Sequence, residues 1–121
     1  MSKPMEQQIR KAQAILALAE RAEAATGPDR NLDADIMRAI GLAGLKADYA
    51  PHPYSASLDA AMTLVPEGWA VLMAFSEQRA VCDVHTAPLG QHGTWPAHAS
   101  AATPALALCA AALRARAETQ P

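Results

Sequence analysis

The chain has 121 residues, a length that fits one domain and allows a single core without disulfide or metal staples. Hydrophobic residues make up 51% of it, but alanine supplies much of that share and aromatics only 4%, so its helices must pack closely, with partners on more than one side. Ten basic against twelve acidic residues give a formal charge of −2 and no basic stripe, which argues against direct nucleic-acid binding, and two cysteines are too few for a disulfide framework.

The N-terminus carries Lys3, Glu6, Arg10 and Lys11 with no continuous apolar run behind them, so it does not read as a signal peptide. The longest apolar run, Pro104 to Leu113, is too short to span a bilayer. The expectation is a soluble protein of the bacterial cytoplasm, without membrane contact.

Met5, Ile9, Ala12, Leu16 and Ala19 recur at helical spacing and predict a first helix from about Pro4 to Ala25. Gly27 suits a C-cap there, and Pro28 cannot continue the helix. A second helix follows in "NLDADIMRAI", capped by Asn31 or Asp29, with Leu32, Ile36, Ala39 and Ile40 as its apolar stripe. Gly41 and Gly44 end it, and "KADYAPHPY" reads as a loop held extended by two prolines. Ser57 caps a short third helix, Leu58 to Leu64, and "PEG" turns the chain.

From Trp69 the period changes to two. Trp69, Val71, Met73 and Phe75 share one face of a strand, against Ala70, Leu72, Ala74 and Ser76. Glu77 and Gln78 make a hairpin turn. A second strand then sets Ala80, Cys82 and Val84 against Arg79, Val81, Asp83 and His85. After the loop Ala87 to Gly93, a third strand places Trp95, Ala97 and Ala99 opposite Pro96, His98 and Ser100, and Pro96 puts it at a sheet edge. Thr103 caps a C-terminal helix that starts at Pro104 and runs to about Glu118, with Leu106, Cys109, Ala110 and Leu113 as its stripe. The fold class is therefore α+β: a three-stranded antiparallel sheet packed with helices as a helix–sheet–helix sandwich, in one domain over 1–121. Its N-terminal helix spans about 4–25 and its body about 29–118.

The chemistry is sparse. His52, His85, His92 and His98 with Cys82 and Asp83 invite a metal reading, but Cys82 and His85 stand three apart on a strand and face opposite ways. No metal and no cofactor is expected. Asp83, His85 and His98 can share one sheet face, where a histidine beside a carboxylate can serve as a general base. Ser100 lies on that face too, yet no strained nucleophile turn surrounds it. "GLAG" and "GQHG" lack the lysine and the strand-to-helix setting of a phosphate loop. No catalytic residue is assigned.

Recognition has better candidates. Ala70, Leu72 and Ala74 are apolar where a small sheet normally turns polar residues to water, so a helix or another subunit should cover them. Tyr49, His52 and Tyr54 lie in the proline-held loop, and Trp69 and Trp95 are of the type enriched at binding hot spots. Arg79 and His98 complete the set of candidate binding residues.

"LDADIMRAIG", "YSASLDAAMTLVPEGW" and "ATPALALCAAALRARAE" together resemble small phage and prophage accessory proteins of the phage ABA-sandwich domain family. The resemblance covers about Asp29 to Glu118 and rests on scaffold features, so it carries over no catalytic residues. It implies a compact phage-derived protein acting stoichiometrically on a host protein or signalling molecule. The leading expectation is a non-enzymatic binder that inhibits or sequesters a host component, with antiphage defence as the first target class. One alternative is a homo-oligomeric sponge for a nucleotide-like small molecule, stacking it on Tyr49, Tyr54 or Trp95 with Arg79 supplying charge. The other is a small hydrolase using Asp83, His85 and His98.

Overall fold

The computed structural model describes residues 3–40, 52–86 and 97–119. In chain order the elements are α1 (Lys3–Ala24), α2 (Arg30–Ala39), α3 (Leu58–Met62), β1 (Trp69–Phe75), β2 (Ala80–Thr86), β3 (Ala97–Ala101) and α4 (Pro104–Thr119). The strands form an antiparallel meander in the order β1-β2-β3, which leaves β1 and β3 at its edges. This is the expected α+β class, with the sheet packed against helices.

The sheet, α1 and α3 are arranged around α4, and α2 packs on α1. Thr103 accepts a hydrogen bond from the Leu106 N–H at 3.2 Å, and Pro104 occupies the first turn, where its missing N–H costs nothing. From Ala105 to Leu113 every side chain is buried, and Ala115 is as well. A helix enclosed on all sides needs side chains small enough for several neighbours to approach, and alanine fills most of its positions between the leucines. The sheet lies on one side of α4, while α1 and α3 pack on others.

The contact with α1 departs from expectation. Its buried residues are Ile15, Leu18, Ala19 and Ala22, whereas Ile9 and Leu16 are 50% and 41% exposed. An alanine-rich helix carries more than one apolar stripe, and α4 selects the one that includes Ile15 and Leu18. Gly27 also differs: Gly68 is the one described glycine with positive φ, so no left-handed C-cap ends α1. Pro28 and the Asp29 cap of the next helix define that break, with Asp29 accepting from the Leu32 N–H at 3.1 Å.

Ser57 caps α3 by accepting from the Ala60 N–H at 3.2 Å. The helix is shorter than expected, and the chain continues to Val65 through tighter i→i−3 bonds from Thr63, Leu64 and Val65. The Trp69 N–H then closes a turn on the Pro66 carbonyl, with Gly68 at φ +87° where a side chain would be strained. That turn launches β1.

The strand faces follow the predicted alternation. Val71–Val84–Ala97 and Met73–Cys82–Ala99 run across the sheet on the face toward α4, and Ala80 with Ala101 extends it. Because α4 sits over β2 and β3 far more than over β1, Trp69, Val71 and Met73 stay only half-buried.

If α4 is enclosed as described, Ala110→Leu has no room and should cost about 1–3 kcal/mol by overpacking. Thermal denaturation followed by circular dichroism reads this as a lowered midpoint. An unchanged midpoint would mean that Ala110 has an open side.

Candidate functional site

The sheet face turned away from α4 is built in rows. Leu72 pairs with Asp83, which pairs with His98; Ala74 pairs with Val81, which pairs with Ser100; and Ala70 pairs with His85. In the first row, His98 Nδ1 lies 2.6 Å from Asp83 Oδ1, and their side chains are 58% and 35% exposed. Leu72 beside them is 52% exposed. In the second row, Arg79 reaches back from the hairpin. Its Nε donates to Ser100 Oγ at 2.9 Å and a terminal nitrogen donates to the Ser100 carbonyl at 2.7 Å.

Sequence reasoning placed Asp83, His85, His98 and Ser100 on one face, and the register does so. Of the expected Asp83, His85 and His98 cluster, Asp83 and His98 are in contact. His85 is 4% exposed, which withholds it from solvent. The Ser100 hydroxyl is engaged by Arg79, so the Asp–His pair does not form a relay onto it through any described hydrogen bond. Among the described residues nothing closes over this pair, whose side chains stand in solvent rather than in the water-excluded setting where aligned dipoles stabilise a transition state. What the face offers is an apolar centre flanked by two polar pairs.

The loop candidates divide. Tyr49 and Trp95 lie outside the described residues. His52 is exposed, and its ring stands 5.7 Å from that of Tyr54. Tyr54 itself is 1% exposed, a core residue, which corrects the expectation of a tyrosine on the loop surface. Hydrogen bonds unrecognised from sequence hold this segment down. The Ser55 N–H donates to buried Asp33 at 2.8 Å, Ser55 Oγ accepts from the Asp29 N–H at 2.8 Å, and Cys109 Sγ donates to the Tyr54 carbonyl at 3.0 Å. The one sequence cue was Asp33, placed three residues before Ile36 on the apolar side of α2.

A cavity of about 390 Å³ opens beside Tyr54, lined by Ile40, His52, Tyr54, Ala60, Thr63 and Arg116. Arg116 is fixed there by Nε donating to the Leu64 carbonyl at 2.6 Å.

Neither cysteine is poised for chemistry. Burial pushes the Cys82 thiol up to about 11 and the Cys109 thiol up to about 12, so both stay protonated at neutral pH. Among the described residues no three His, Cys, Asp or Glu side chains converge as a metal site. No described helix is long and apolar enough to cross a membrane.

At the β3 edge, Glu23 of α1 and Arg114 of α4 form a bidentate pair, with N–O distances of 2.6 and 2.8 Å. Glu23 also accepts from the Ser100 N–H at 3.1 Å, and Arg114 donates to the His98 carbonyl at 2.7 Å. One ion pair therefore joins two helices to the strand that carries His98.

No protein-family model matches the chain, no curated protein matches it, and no solved structure does.

The hydrogen bonds from Arg114, with help from the Ser100 N–H, outweigh desolvation and hold the Glu23 carboxyl below the ordinary glutamate value of 4.5. Its contribution is therefore complete above that pH and is lost as pH falls through the depressed folded value. Glu23→Gln should lower stability at neutral pH and flatten the acid limb, as read by denaturant melts across pH. The limb that remains includes Asp35, whose carboxyl Arg21 and Arg38 also hold low. An acid limb unchanged in Glu23→Gln would remove the pair from the account.

Proposed function

We propose that the protein is a non-enzymatic accessory protein of phage origin that binds a host component, of antiphage defence as the target class, and inhibits or sequesters it. The observation that carries the binding half is the open sheet face, where exposed Leu72 stands between Ala70 and Ala74 and beside the Asp83–His98 pair. Apolar area rimmed by polar pairs suits a protein contact, because the centre gains from burial while the rim sets register. The phage origin is supported by the resemblance of the three quoted segments, which correspond to α2, the capped α3 with its turn, and α4.

Expressed in bacteria that carry a defence system, the protein should raise the plating of a phage which that system restricts. Val81→Glu puts a carboxylate into the middle of the face and should abolish the effect with little change in melting temperature. His98→Ala removes the dyad and should leave most of it. Loss of all activity in His98→Ala, with the target still bound, would replace this proposal with the hydrolase. No rescue of plating against any of a panel of defence systems would overturn it.

The sequestering alternative has one observation of its own, the cavity beside Tyr54. Its volume falls in the range of small-molecule sites, and it brings Arg116 and the exposed His52 to one opening. In that case native mass spectrometry of protein purified without refolding should show a retained mass that Arg116→Ala loses. A spectrum of bare protein would dismiss it.

A further inference from the structure

The two edges of the sheet are treated differently. At β3 three outward backbone groups are taken by side chains: the His98 carbonyl by Arg114, the Ser100 N–H by Glu23 and the Ser100 carbonyl by Arg79. Such plugging is one way a protein keeps an edge from pairing with another strand. Nothing comparable protects β1 among the described residues. It runs for seven residues, WAVLMAF, with no charge, no proline and no bulge in its register with β2.

The hairpin fixes which backbone groups of β1 face outward. The Ser76 N–H donates to the Arg79 carbonyl at 2.8 Å, so these two residues are a hydrogen-bonded pair. Alternation then turns Ala74, Leu72 and Ala70 toward β2 and leaves the groups of Val71, Met73 and Phe75 at the edge. The side chains of this strand are short of cover as well. Phe75 is 67% exposed, and Trp69, Val71 and Met73 are half-buried because α4 lies mainly over the other strands.

The sequence of β1 is symmetric in residue type about Leu72. Stepping outward on either side come Val71 and Met73, then Ala70 and Ala74, then Trp69 and Phe75. We propose that β1 pairs antiparallel with β1 of a second copy, on a two-fold axis at Leu72, so that two three-stranded sheets become one of six strands. In that register Trp69 meets Phe75 of the other copy, Val71 meets Met73, Ala70 meets Ala74, and Leu72 meets Leu72. Both outward groups of Val71 and Met73 and the N–H of Phe75 gain partners, while the Phe75 carbonyl faces the Trp69 N–H, which the Pro66 carbonyl already takes. Aromatic–aromatic and aliphatic pairs are the cross-strand contacts that stabilise sheets, and a two-fold interface must be self-complementary. A strand without charge meets no repulsion from its own copy, and the pairing covers the flank of β1 that α4 leaves bare. It does not depend on what the outer face binds.

The test is register-specific. The native cysteines, Cys82 and Cys109, are 0% exposed, so an added thiol is the one that reacts. Leu72→Cys places two thiols across the axis in a pair that is not hydrogen-bonded, and mild oxidation should link it into a covalent dimer. Ala74→Cys alone should not link, because it faces Ala70, whereas a mixture of Ala70→Cys and Ala74→Cys should. Without crosslinking, light scattering of the native chain should give twice the monomer mass at micromolar concentration. Leu72→Lys has Asp83 opposite it within its own sheet but meets a second lysine across the axis, and should weaken the dimer about tenfold or more. A native chain that stays monomeric, or Ala74→Cys linking as fast as Leu72→Cys, would overturn the pairing.

Discussion

The structure depends on one helix that has no outside. Nearly every position of α4 up to Leu113 is buried, so its neighbours must each come close, and only small side chains allow it. That constraint explains a composition rich in alanine and poor in aromatics. Tyr54 is the large exception in the core, and its segment is tied to α4 through Cys109 and to α2 through Asp33 and Asp29. Gathering α1, α3 and the sheet on α4 has a second consequence: the sheet presents one face to it and leaves Leu72 on the other in solvent.

Where the signal is local, the sequence was legible. The Thr103–Pro104 start, the Ser57 cap and the alternation of both hairpin strands each depend on neighbours within a few residues, and each is found. The edge position expected of the third strand from Pro96 is also found, because strand order follows a simple meander. The Asp83–His98 contact was legible for the same reason, since pairing the two strands fixes which residues stand opposite.

What was not legible needs contacts between distant segments. Which apolar stripe of α1 is used depends on where α4 lies, and two stripes of similar strength cannot be ranked from their own sequence. Glu23 and Arg114 are 91 residues apart, and nothing in either local pattern points to the other. Tyr54 looked like loop because prolines precede it, yet the bonds from Asp33, Asp29 and Cys109 draw it inside. His85 shows the same limit: alternation assigns its face but not its burial.

The central claim is that α4 is the enclosed core to which the sheet, α1 and α3 attach, with β1 its least covered strand. Residue-resolved amide hydrogen exchange under native conditions tests this most directly. Amides from Ala107 to Leu113 should exchange only through global unfolding, and they should be the slowest in the chain. The β1 amides should exchange faster than those of β2 in dilute monomer. Exchange of the α4 amides at lower free energy than the hairpin amides would contradict the account.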